Sequence, residues 1–205
     1  MNVNEAIIRR RAIRNFASTP IPDDVLQEIL EAARWAPSGG NGQNCCYGVV
    51  TDETKKKELA QAAGDQMWIA SAPVVIALCS QISYNTADLQ EDDFSLTVNR
   101  LRFGERLLRH LEICEDRRGI GLLWANSCPL IPGTHMTLAA ASFGLDTCWV
   151  GYLDVARASE ILNLPGDYAC LYLLPIGYAA AEPETRTSRI PLAELTFYNT
   201  WEAKR

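Results

Sequence analysis

Apolar positions along the chain fall into two spacings, one suited to helices and one to buried strands. Val25, Leu26, Ile29, Leu30 and Ala33 recur at three- and four-residue steps, which predicts a helix after Pro20-Ile21-Pro22. Asp23 and Asp24 lie in its positive first turn, and Pro37 stops it. The same reasoning places helices over 4–11, 53–63 (ended by Gly64), 134–143 (ended by Gly144) and 155–162. A long helix over 94–118 carries Phe94, Val98, Leu101, Leu108 and Leu111 on one stripe, with Gly119 and Gly121 at its end. The continuous apolar run 74–79 after Pro73 reads as a central strand covered on both faces, 47–51 as a short strand, and 147–150 and 171–176 as further buried strands. The polar stretch 80–93 reads as a surface loop, or as a cover over a site. Helices and strands interleave, so the class is α/β or α+β. The helix over 134–143 is apolar nearly all round, which predicts that a second copy of the chain covers part of it.

Composition narrows the picture. A chain of 205 residues fits one domain. With 48% hydrophobic and 21% charged residues it holds enough apolar surface to offset ordering entropy, so disorder is excluded. No apolar run reaches the roughly 18–20 residues of a membrane span, and residues 1–5 do not open a secretory leader. A soluble cytoplasmic protein is expected. The formal charge of −6 argues against non-specific nucleic-acid binding. Seven cysteines without a C-x-x-C, and only His110 and His135 to join them, make reduced thiols the expectation and argue against a zinc site.

Four segments could carry chemistry. Arg9, Arg10, Arg11 and Arg14 crowd four guanidiniums into six positions. They form either a solvated basic face or a site for an anion, with Arg10 and Arg14 sharing a face if the helix continues. The run Ala36-Pro37-Ser38-Gly39-Gly40-Asn41-Gly42-Gln43 has neither a Walker nor a dinucleotide spacing. Its glycines permit close approach to the backbone, and Asn41 and Gln43 each offer a donor and an acceptor. Gly144-Leu145-Asp146-Thr147-Cys148-Trp149-Val150-Gly151 follows a helix stop, and core packing accounts for Trp149. The late Arg186 and Arg189 form a basic turn before Pro191-Leu192.

In this order and combination the segments resemble the FMN-dependent nitroreductase family over residues 6–195. Arg10-Arg11-Ala12-Ile13-Arg14 is similar to its R-R-S-x-R, and residues 36–43 to its A-P-S-x-x-N-x-Q. The resemblance implies an α+β fold, with a central mixed, mainly antiparallel sheet surrounded by helices. It also implies an intertwined homodimer with FMN at the subunit interface, in a single domain over 1–205 with a variable helical insertion or lid around 81–131. Arg10 and Arg189 would grip the FMN phosphate, helped by Arg11 and Ala12. Arg14 would face the N1/O2 side of the ring. Pro37, Ser38, Gly39, Asn41 and Gln43 would reach the flavin from the other subunit, and Val150 and Gly151 would place main chain beside N5.

The implied activity is hydride transfer from NAD(P)H through flavin N5 to an acceptor such as a nitroaromatic or quinone, in a ping-pong scheme. Ala12 in place of the family's serine removes a hydroxyl from the phosphate site, and Asn44-Cys45-Cys46 replaces its common Pro-Trp. Specialised flavin chemistry such as reductive dehalogenation, or a flavin-binding sensor or store, are the alternatives. Specificity is expected within 80–131. There Arg100, Arg102, Arg106 and Arg109 either attract an anionic substrate or pair with neighbouring acids, for instance Arg109 with Glu105. Phe103 and Trp124 read as core residues, with ring stacking the less favoured role.

Overall fold

The structure, a computed structural model, describes residues 1–82, 94–181 and 187–201. Four strands, β1 (Cys45–Val50), β2 (Val74–Gln81), β3 (Asp146–Thr147) and β4 (Tyr168–Gly177), form one antiparallel sheet in the order β1-β2-β4-β3. A lone parallel bridge from Ala12 to Thr147 extends it beyond β3. Beside the sheet stand α1 (Val3–Arg9), α2 (Asp23–Arg34), α3 (Glu53–Ala62), α4 (Phe94–Phe103), α5 (Glu105–Glu112), α6 (Arg117–Ala125), α7 (Leu130–Ser142), α8 (Val155–Ile161) and α9 (Leu192–Leu195).

The period of two in β2 divides the core. Val75, Ala77 and Cys79 turn towards α3 and α8, joined by Leu59, Ala63 and Ala158. Val74, Ile76 and Leu78 turn towards α2 and α7, joined by Ile29, Ala33, Met136 and Ala140. β2 is therefore buried on both faces, as its apolar run predicts. Lys56 is a buried charge that the sequence reading passes over. Its ammonium donates to the Ala72 carbonyl at 2.8 Å and pairs with Glu53 at 2.8 Å, which compensates its removal from water.

Several boundaries differ from expectation, each for a local reason. α1 ends at Arg9, and Arg10 turns extended with ψ 127°. Arg10 and Arg14 therefore share a side through the two-residue repeat of extended chain, not through a helical turn. α7 begins four residues early, at Leu130 after Pro129. It is covered within the chain by α1, α2 and the sheet, so it does not by itself require a second copy. The expected strand over 147–150 shrinks to Asp146–Thr147 and a single bridge from Val150 to Leu173.

The expected helix over 94–118 is three pieces. Gly104 breaks it with φ +78°, a conformation other residues rarely adopt, and Asp116 caps α6 by accepting the Gly119 N–H at 2.7 Å. The stripe is lost with it: Leu108 is buried but Leu101 stands 87% exposed. Gly121 does not end a helix. It sits inside α6 because a Cβ there would lie 2.0 Å from the Ile82 carbonyl oxygen. The loop expected over 80–93 begins with Ser80 and Gln81, which belong to β2, and its remainder from 83 lies outside the described residues. Among the described residues no helix is long and apolar enough to cross a membrane.

Candidate active site

The basic N-terminal segment lies along the β3 edge. Ala12 bridges to Thr147, and the Ile13 N–H donates to the Thr147 carbonyl at 3.1 Å. Ile13 is buried, so the flanking Arg10, Ala12 and Arg14 turn the other way. Arg14 and Arg10 both lie close enough to the buried Cys148 thiol to act on it electrostatically. Burial raises the Cys148 thiol above its ordinary range, and these two guanidiniums pull it part of the way back. Arg14 also stands 5.8 Å from the Trp68 ring centroid, a contact without local sequence signal. Neither Arg10 nor Arg14 is paired with a carboxylate among the described residues. Arg9 has a different job: it donates to the Ala141 and Gly144 carbonyls at 3.3 and 3.1 Å, completing the C-terminus of α7. Val150 and Gly151 follow on this edge, the first buried and the second exposed.

The glycine loop occupies a different corner. Residues 37–44 lead into Cys45 at the start of β1, and the Asn44 carbonyl accepts from the Gln81 N–H at 2.9 Å. Gly40, Asn41 and Gln43 all have positive φ, at 56°, 56° and 49°. Glutamine rarely adopts that region, and such strain persists where the surroundings hold it for a purpose. Here the Gln43 N–H donates to Ser38 Oγ at 3.1 Å, and its side-chain amide donates to the Asn41 carbonyl at 3.3 Å. Pro37, Ser38, Gly39, Asn41 and Gln43 are all exposed.

Beneath this loop opens a cavity of about 860 Å³, within the roughly 300–1,000 Å³ of small-molecule sites. Pro37, Ser38 and Gln43 form one side, Cys45 and Tyr47 of β1 the floor, and Arg102, Phe103 and Trp124 the far wall. Phe103 and Trp124 meet edge to face at 5.0 Å, so they wall a cavity instead of filling the core. Trp149, by contrast, is packed against Tyr172 at 5.6 Å and over Gly133. Burial and the nearby Cys128 push the Cys45 thiol up to about 11, and burial pushes Tyr47 up to about 12. Tyr47, Gln81 and Cys128 have no site reading from sequence, and Cys45 enters there only as part of the replacement for the family's Pro-Trp. Alternation along β1 is the signal that puts 45 and 47 on one face. All seven cysteines are free thiols, and among the described residues no cluster of His, Cys, Asp or Glu could hold a metal ion.

The two halves are far apart in one chain. Thr147 pairs with Ile176, which pairs with Val74 at the start of β2, whereas Cys45 pairs with Ser80 near its far end. The arginine edge and the glycine loop thus sit at diagonally opposite corners of the sheet, separated by roughly 19 Å across the strands alone at about 4.8 Å per strand. Arg189 is brought to neither corner by its own contacts. Its guanidinium donates to Thr187 Oγ1 at 2.8 Å and to the Ser188 carbonyl at 3.0 Å. Arg186 lies outside the described residues.

Comparison with known proteins gives a consistent result. The family model described as the nitroreductase family matches residues 7–178. An NADH dehydrogenase of Thermus thermophilus is 29% identical over 198 residues, covering 97% of this chain and 96% of that protein. An NADPH-flavin oxidoreductase of Vibrio harveyi is 29% identical over 206 residues, covering 98% and 75%. The solved structure of the Vibrio harveyi NADPH:FMN oxidoreductase complexed with NAD+ superposes with a TM-score of 0.73, covering 98% of this chain and 78% of that one.

Proposed function

The chain belongs to the nitroreductase family, and from that premise we propose that it is an FMN-dependent NAD(P)H oxidoreductase working as a homodimer on nitroaromatic or quinone acceptors. Relatives named as FMN reductases and NADPH-flavin oxidoreductases support the cofactor and the donor. The single observation that carries the dimeric site is the separation of its two halves. A phosphate held by Arg10 and a ring held by Gln43 of the same chain would have to span opposite corners of the sheet. Two chains packed together bring the arginine edge of one to the glycine loop of its partner. Exposed apolar side chains on α1 (Ile7, Ile8) and along the C-terminal segment (Leu192, Leu195, Phe197, Trp201) support such packing.

The residues present fit FMN. Arg10, Arg11 and Arg189 would hold the phosphate through charge-assisted hydrogen bonds, Arg11 and Ala12 also offering main chain. Asn41 and Gln43 offer donors and acceptors to the polar chain and ring edge, while Pro37, Ser38 and Gly39 give it an open backbone. Arg14 would set a positive charge beside the ring, and Val150 and Gly151 would supply main chain next to it. Held by these residues, FMN would supply hydride-transfer chemistry between NAD(P)H and the acceptor. Phe103, Trp124 and Tyr47 line one shared seat for donor and acceptor and keep water from it. Because one seat serves both, the oxidised donor leaves before the acceptor enters, which is a ping-pong order.

The test is subunit complementation. Arg10→Ala combined with Arg14→Ala, and separately Asn41→Ala combined with Gln43→Ala, should each give pale, inactive protein. Mixing the two after reversible dissociation should restore about a quarter of the wild-type flavin sites, since half of randomly formed dimers carry one intact site of two. Absorbance at flavin wavelengths and anaerobic bleaching by NAD(P)H read the result. No recovery on mixing, or wild-type protein that stays colourless with added FMN, overturns the reading.

A further inference from the structure

We propose that the cavity selects aromatic acceptors bearing an anionic substituent, with Arg102 as the specificity-determining cation. The proposal rests on reading the cavity as the acceptor's seat. Although the chain is acidic overall, the described residues lining this cavity include two arginines and no aspartate or glutamate.

The two arginines are not equivalent. Arg34 is clasped by the Glu31 carboxylate through Nε at 2.8 Å and through its terminal nitrogen, so its charge is already answered. On the helices above, Arg100 and Arg109 both turn to Glu105, at 3.5 and 3.4 Å. Arg102, by contrast, has no carboxylate partner among the described residues. Its guanidinium carbon instead lies 4.9 Å from the Phe103 ring centroid, and Phe103 meets Trp124 at 5.0 Å.

That arrangement sets a planar cation at the end of an aromatic wall. A flat ring laid against Phe103 and Trp124 loses apolar surface to the wall. A carboxylate or sulfonate on the same ring then meets the guanidinium fork, whose two parallel N–H groups match it. Taking 4-nitrobenzoate as the example, uptake of a hydride and a proton breaks one N–O bond and gives 4-nitrosobenzoate and water, with NAD(P)H oxidised to NAD(P)+.

The experiment compares 4-nitrobenzoate with 4-nitrobenzamide in the full-length, flavin-loaded enzyme. The ratio of their kcat/KM values should favour the anion by about tenfold, the factor one charge-assisted hydrogen bond supplies. It should fall to within about twofold of unity in Arg102→Gln, through KM and not kcat, and invert in Arg102→Glu. Arg102→Lys should keep part of the preference. Calorimetric binding of benzoate against benzamide should show the same pattern without turnover. A wild-type ratio near unity, or one unmoved by Arg102→Gln, overturns the proposal. So does a selective rise in the KM for NADPH in Arg102→Gln, which would assign the guanidinium to the donor's phosphate. Protein that holds no flavin and reduces neither compound overturns the oxidoreductase reading. A yellow, active enzyme without the anion preference overturns only the role of Arg102.

Discussion

The arginine edge and the glycine loop are built from opposite materials. At the edge, backbone geometry is ordinary extended chain, anchored by buried Ile13 and Val150, and all the character lies in charged side chains. In the loop the side chains are uncharged and exposed, and the character lies in a backbone held at positive φ over Gly40, Asn41 and Gln43. One half can grip a multiply charged tail through Coulombic attraction. The other can shape itself to a neutral ring at the cost of local strain. Each half lacks what the other has, and on the two-chain reading the flavin site needs both.

Removing charge should be the heaviest blow to this contrast. Arg10→Ala with Arg189→Ala is expected to weaken FMN binding by roughly 10²–10⁴, two contacts of about 1.5–3 kcal/mol each, measured by quenching of flavin fluorescence. Folding stability should stay within about 0.5 kcal/mol of wild type, because an exposed charge contributes little to it. Relieving strain in the loop should do the reverse. Gln43→Gly should raise stability by up to about 1 kcal/mol in urea unfolding, since glycine tolerates φ 49°, while weakening FMN by no more than about tenfold. If both variants moved stability and binding in the same direction, the division of labour would be wrong.

The smallest expected effect compares one thiol from each region. Burial raises both Cys45, to about 11, and Cys148, but only Cys148 is pulled back by Arg14 and Arg10. A thiol held above its ordinary value of 9.0 adds stability that is whole below pH 9 and is lost as pH rises towards about 11. The urea midpoint should therefore decline over that window. Cys45→Ser should flatten the decline. Arg14→Ala should steepen it, since Cys148 then loses its nearest positive charge.

Much of this was open to reading from the chain. The α2 face, the stop at Gly64 and the double burial of β2 follow directly from spacing, because each depends on contacts within one turn or one strand. What failed depended on neighbours remote in sequence. Gly121 looks like a helix end until Ile82 is seen against it. Lys56 stands at three- and four-residue steps from Leu59 and Ala60, which puts it on the inward face, but the Ala72 carbonyl that receives its ammonium lies sixteen residues away. For the site, the basic run and the glycine run both announced themselves. Their distribution to opposite corners needed the strand order, and the cavity wall at Arg102, Phe103 and Trp124 needed the break at Gly104.

On the two-chain reading, the diagonal placement of the two corners makes output depend on how often two copies meet. A solitary copy newly released from the ribosome would have a handle but no lid for its pigment. It would hold no reduced cofactor to spend before it meets its twin. Upon dilution below the pairing constant, turnover would then decline with the square of protein concentration instead of linearly.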